Sequence, residues 1–296
     1  MIPLISSMCR GPLGVCQLPR FWWKAITRKV GVMDEEYPDC SNGLDIWLIH
    51  ALGLDRDGTL EYLRSELPDY LQFEKWVLEQ KGGKLDRFAV ERYNDGIDKR
   101  VHVDPGKIVE TYEDIGWGYE VTHTSAVLLN ALQDWQLFHK RDLIGGESNL
   151  TAPTVPLISS IDQGPLGVCQ LPRTWLKVVL KTKGLLHPEY PECGGGLDAR
   201  VLEVLQLDRE ETVAHLRSEM PDYLEFEKWV EKTGKLEAGA VAEWNRSIAE
   251  RVHNEQKIAD IHATIGREDD GSLTSAVILN QVEDWHLAHR ELLGRG

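Results

Sequence analysis

The chain has 296 residues, 42% of them apolar and 27% charged, without a low-complexity tract. This is the composition of an ordered globular protein, long enough for two cores of ordinary domain size. A formal net charge of -15 with no compensating block of Lys or Arg repels nucleic-acid phosphates and anionic lipid, so neither nucleic acid nor membrane is an expected partner. No apolar run is long enough to cross a bilayer, and the start lacks a basic segment followed by an apolar one, which predicts a cytoplasmic protein. Five cysteines, an odd number, do not make a disulfide framework, and free thiols are expected.

The elements read in chain order as helices. Pro19 stands at a first helical position, an amphipathic stretch follows to Val30, and Gly31 is placed to stop it. After the turn-forming Ser41, Asn42 and Gly43, helical spacing returns at Leu44, Leu48, Ala51 and Leu52. Asp55 is placed to cap a helix through Leu63, and Pro68 and Asp69 open another that ends near Gly82 and Gly83. Further helices are predicted from Asp86 toward Lys99 and around Ile108. Thr124 is expected to cap the longest, where Val127, Leu128, Ala131, Leu132, Trp135 and Phe138 form one apolar face. No alternating strand pattern competes, so the expected fold is all-α.

The same series is then written a second time. Pro3 to Val77 aligns without a gap on Pro156 to Val230, with 43 of 75 positions identical, and Gly11 to Arg20 recurs unchanged as Gly164 to Arg173. Weaker matches continue to the end of each copy. The expectation is a tandem duplication of two homologous helical domains, residues 1–145 and 155–296, joined by a linker over 146–154 and related by a pseudo-twofold. The chain would be a monomer containing an internal pseudo-dimer, or a homodimer.

Several short matches, taken in order, resemble the bacterial domain of unknown function family numbered 5069. They are Leu13 and Gly14, then Leu18, Pro19, Arg20 and Lys24, then Tyr37, Cys40, Leu44 and Asp45, then Leu52 to Asp55, Trp76 with Val77, and Asn94. The second copy repeats most of them, with Gln206 at the Gly53 position and Trp244 beside Asn245 in place of Tyr93 beside Asn94. Members of that family usually carry one such domain, so the tandem form departs from the common arrangement and resembles a fused dimer. The resemblance implies a fold and no activity or cofactor.

Recurrence between the copies picks out the candidates for chemistry. Arg20 and Lys24, four apart near the start of a helix, lie on one face and form a candidate anion site, as do Arg173 and Lys177. The alternative is an ion pair with Asp45 or Asp198, or plain solvation. Asp45 and Asp198 are candidate proton-transfer residues with Tyr37 and Tyr190 assisting, although a carboxylate at a helix start also serves as a cap. Trp22 and Trp175 are candidate pocket walls or core residues. Asn130 and Asp134, and likewise Asn280 and Asp284, are one turn apart and would orient a substrate or face solvent.

Two Cys and two His per copy, namely Cys16, Cys40, His102 and His139, and Cys169, Cys193, His253 and His289, would suit tetrahedral zinc, although close ligand pairs are lacking. Glu283 and His286 make a Glu-x-x-His pair, but Gln133 and Gln136 replace it in the first copy, which removes a di-iron reading. Dinucleotide, phosphate-loop, His-Glu-x-x-His and Gly-x-Ser-x-Gly motifs are absent. The expectation is a cofactor-independent lyase or isomerase acting by proton transfer on a small anionic ligand. The alternatives are a non-catalytic ligand-binding or protein-binding helical module, and a metal-dependent protein. The copies also diverge, with Trp117, Gly118 and Tyr119 replaced by Arg267, Glu268 and Asp269, and Ser41 and Asn42 by Gly194 and Gly195.

Overall fold

The computed structural model describes residues 1–117, 123–145 and 150–294. Gly118 and Tyr119 therefore lie outside the described residues, as do 146–149 of the expected linker. The described residues form helices, with isolated bridges such as Val101 to Ser125 and Val252 to Ser275 in place of any sheet. The expected all-α class is met.

The helices follow the sequence punctuation. Helix α1 spans Leu18–Val30, with Pro19 in its first turn and Gly31 closing it at φ 85°. Helix α2 is Leu44–Leu52, and α3, Arg56–Glu66, is capped by Asp55, which accepts from the Gly58 amide at 2.7 Å. Asp69 caps α4, Tyr70–Gln80, in a capping box with Gln72. Asp86 and Asp104 cap α5, Arg87–Asp98, and α6, Pro105–Ile115. Helix α7, Ala126–Leu137, runs on as a π-helical stretch, Phe138–Ile144. Its first turn is met by Ser125, whose Oγ lies 3.4 Å from the Leu128 amide, and not by the expected Thr124.

The series then recurs as α8 (Leu171–Thr182), α9 (Leu197–Val204), α10 (Arg209–Glu219), α11 (Tyr223–Thr233), α12 (Ala238–Ala249), α13 (Glu255–Ile265) and α14 (Ala276–Leu293). Asp208 caps α10 and Asp222 caps α11 as Asp55 and Asp69 cap α3 and α4.

The chain divides into two compact units whose limits differ from those of the sequence copies. The first contains Met1–Asp134 and Gln281–Gly296, and the second contains Trp135–Asn280. Within the first unit, α1 packs on α3 and α4, and α2 packs on α5. Trp22 and Trp285 lie on either side of Tyr70, with ring centroids 5.5 and 4.6 Å away, and His289 bonds the Leu67 carbonyl at 2.9 Å. Within the second unit, α8 packs on α9, α10 and α11, and α9 on α12. Here Trp175 and Trp135 flank Tyr223 at 5.6 and 4.8 Å, and His139 bonds the Met220 carbonyl at 2.8 Å. Each core is thus finished by a helix end written in the other copy.

Of the ten residues shared by both copies, the first seven form a loop tied down by side chains and the last three open α1 and α8. Asn94 accepts from the Cys16 amide at 2.9 Å and donates to the Gly14 carbonyl at 2.7 Å, and Asn245 makes the same two bonds to Cys169 and Gly167. Glu74 accepts from the Leu13 amide at 3.2 Å and from the Tyr70 hydroxyl at 2.7 Å. A Cβ at Gly11 would run into the Tyr70 ring and the Glu74 carboxylate, and one at Gly164 into Tyr223 and Glu227. Gln17 and Gln170 precede α1 and α8 in left-handed conformation, φ 66° and 72°, which side chains ordinarily avoid. The run therefore has a packing reason to be invariant.

Candidate functional site

The polar residues selected by recurrence come together, and they meet one another. Asp45 is fully buried at the start of α2. Its carboxylate pairs with Lys24 Nζ at 2.5 Å and accepts from Gln17 Nε2 at 2.8 Å and from the Ser41 amide at 2.7 Å. Burial opposes ionisation of Asp45, but Lys24 and these donors outweigh it and hold the carboxyl below its ordinary range. Burial pulls the Lys24 ammonium down from its ordinary value. In the second unit Asp198 pairs with Lys177 and accepts from Gln170 at 2.8 Å, Thr174 at 2.9 Å and the Gly194 amide at 2.7 Å. The Oε1 atoms of Gln17 and Gln170 are buried with no hydrogen-bond partner among the described residues.

Arg20 has a second set of partners. Its Nη1 donates to the Pro3 and Ile5 carbonyls, each at 2.9 Å, and lies 2.7 Å from Asp134 Oδ2. Tyr37 donates its hydroxyl to Asp134 Oδ1 at 2.7 Å and sits under the Arg20 guanidinium, 5.9 Å from charge to ring centroid. Burial raises the Tyr37 phenol far above its usual value, and the neighbouring carboxylate adds to the effect. Arg173 donates to the Pro156 and Ile158 carbonyls at 2.7 and 2.8 Å and lies 5.7 Å from the Tyr190 ring.

The remaining candidates fall elsewhere. Trp22 and Trp175 are core residues, their indole N–H groups donating to Pro68 and Pro221 carbonyls at 2.9 and 3.0 Å. Asn130 meets His102 at 3.3 Å and Asn280 meets His253 at 2.8 Å. Asp284 is buried in the first unit, whereas Asn280 belongs to the second.

The tetrahedral metal set is not assembled. Among the described residues no three of His, Cys, Asp and Glu gather as metal ligands. Cys16, Cys40 and His102 belong to the first unit and His139 to the second, while His289 belongs to the first and Cys169, Cys193 and His253 to the second. All four cysteines are buried thiols whose pKa burial raises, the opposite of what a thiolate ligand needs.

Clefts open to a ligand occur in both units among the described residues. One, of about 670 Å³ in the second unit, is lined by Glu192, Cys193, Asp208, Arg209 and Arg217 among others. Its two guanidinium groups are engaged, Arg217 by Glu192 and Arg209 by the Cys193 carbonyl. Another lies between α2 and α5 of the first unit, about 460 Å³, lined by Trp47, His50, Ala51, Ala89, Arg92, Tyr93, Gly96 and Ile97. Small residues at 51, 89 and 96 keep the two helices from filling the space between them. Trp47, 49% exposed, stands at its edge, and Arg100 lies over the indole at 4.5 Å.

Recurrence could not find this groove, because the copies differ there. Arg200 replaces Trp47 and Trp244 replaces Tyr93. In the second unit the indole is buried, donates to the Cys169 carbonyl at 3.0 Å and is covered by Arg200 at 5.5 Å. The detectable signal was that the indole stands at the α2 position in the first copy and at the α5 position in the second, with Arg200 where Trp47 would be.

Among the described residues no helix is long and apolar enough to cross a membrane. No family model matches the chain, and no curated protein or solved structure is significantly similar to it.

Proposed function

We propose that this chain is a non-catalytic helical module that binds a small molecule in the groove between α2 and α5. The observation that carries this reading is the groove itself. Its volume of about 460 Å³ falls in the roughly 300–1,000 Å³ range of ligand sites. None of its eight lining residues is acidic, in a chain with 48 acidic residues.

The lyase or isomerase reading asks Arg20 and Lys24 for an anion, Asp45 for a proton and Tyr37 for assistance. Lys24 and Asp45 already neutralise each other, and Arg20 and Tyr37 already converge on Asp134. A substrate would have to break a buried ion pair, which costs several kcal/mol when one partner is left behind, about 3–5. This supports an internal, fold-specifying role for the polar residues.

We also infer that the two copies descend by tandem duplication from a single domain similar to the family numbered 5069. The shared cap residues, loop ties and left-handed glutamines support the duplication.

The test follows the Trp47 indole N–H in ¹⁵N–¹H spectra, assigned by loss of its signal in Trp47→Phe. Benzoate, benzamide and benzyl alcohol serve as one-ring probes. At least one is expected to shift the signal saturably at millimolar concentration. Gly96→Leu should abolish the effect without harm to the fold, because a Cβ there meets nothing within 4 Å and Leu is the better helix former by about 1 kcal/mol. An unmoved Trp47 signal with all three probes would overturn the reading.

A further inference from the structure

The groove carries chemical detail beyond its shape. Trp47, 49% exposed as a residue, lines the cavity, and Tyr93 and Ile97 line it as buried residues. Around them stand three nitrogen-bearing side chains, His50 and Arg92 in the lining and Arg100 over the indole. Asp95, on the same helix, is held by Lys99 at 2.6 Å and does not neutralise them.

Arg100 is the distinctive member. Its guanidinium is stacked on Trp47, and its Nη1 atom is buried with no hydrogen-bond partner among the described residues. A guanidinium N–H in that condition has lost water without gaining an acceptor, a cost that a ligand's acceptor atom would remove. An arginine fork matches a carboxylate, and a planar ring stacks favourably on an indole that an arginine already flanks.

We propose that the α2 and α5 groove is a site for a planar aromatic carboxylate, one per chain, with Trp47 stacking on the ring and Arg100 taking the carboxylate. The proposal rests on the groove reading above and names its ligand class. The second unit supplies no equal site, because Trp244 is buried and bonded to Cys169 where Tyr93 stands in the first unit, and Arg200 occupies the Trp47 position. Arg92 would add longer-range attraction.

The experiment titrates unmodified protein with benzoate and separately with benzamide, an uncharged analogue of the same shape, following the Trp47 indole N–H. Benzoate should bind at least tenfold more tightly, at one site per chain by calorimetry. Arg100→Gln should bring benzoate down to the benzamide level. Arg100→Lys should recover only part of the difference, because an ammonium lacks the fork. Equal affinity for the two probes would overturn the carboxylate assignment and leave the groove reading standing. A benzoate preference that survives in Arg100→Gln would overturn the role of Arg100. Failure of both probes to shift Trp47 would remove the proposal, and silence from benzyl alcohol as well would remove the groove reading beneath it.

Discussion

At the scale of single residues the molecule is governed by buried charge. Lys24 with Asp45 and Lys177 with Asp198 are paired inside their units, so each ion finds a counter-ion and hydrogen bonds that offset its desolvation. Among the described residues no cation pairs with Glu227. It is buried against Tyr223, whose hydroxyl donates to it at 2.6 Å, and burial pushes its pKa up to about 7 from an ordinary 4.5. The folded protein therefore holds a proton that the unfolded chain releases above pH 4.5. Stability contributed by this group is fully present below pH 4.5 and falls as pH rises to about 7, by up to about 3 kcal/mol. Urea unfolding of Glu227→Gln should lack that decline, so the difference between wild type and variant narrows or reverses from pH 4.5 to pH 8. Parallel pH dependence in the two proteins would show that Glu227 does not titrate in this way.

At the scale of elements, start signals decided where helices begin. Aspartates at 55, 69, 86, 104, 208 and 222 each accept from an amide in the first turn, as their short side chains favour. Asp222 also accepts from Gln136 Nε2 at 3.0 Å. Asp222→Ala should cost about 1 kcal/mol for the lost cap and roughly 1 kcal/mol more for the orphaned amide. Thermal unfolding would register this as a lower midpoint, and an unchanged midpoint would mean that the box does not stabilise α11. The π-helical continuation of α7 had no comparable signal, because its apolar face is continuous with that of the helix before it.

At the scale of the whole molecule, the compact units are not the written copies. Trp285 is encoded in the second copy but lies against Tyr70 in the first unit, at 4.6 Å, and Trp135 lies against Tyr223 in the second, at 4.8 Å. The consequence is a crossed pattern of damage. Trp285→Ala should destabilise by about 3–5 kcal/mol, with hydrogen-exchange protection lost first in α1 and α4. Trp135→Ala should lose protection first in α8 and α11. Loss confined to the mutated residue's own sequence copy would refute the exchange of helix ends.

Helix positions, caps and the repeat could be read from local spacing, because capping and periodicity act over a few residues, whereas the pairing of Lys24 with Asp45, 21 positions apart, stood there only as one alternative. The sequence by itself thus determined an all-α chain built twice from one helical series. It did not reveal that Asp134 would close on Arg20 across 114 positions, or that the last helix would finish the first core. Nor did it reveal the Trp47 groove, since comparison of the copies keeps what both need for folding and discards what only one possesses. Those outcomes were decided by tertiary structure, because burial of a charge or an indole depends on which distant surfaces exclude water around it.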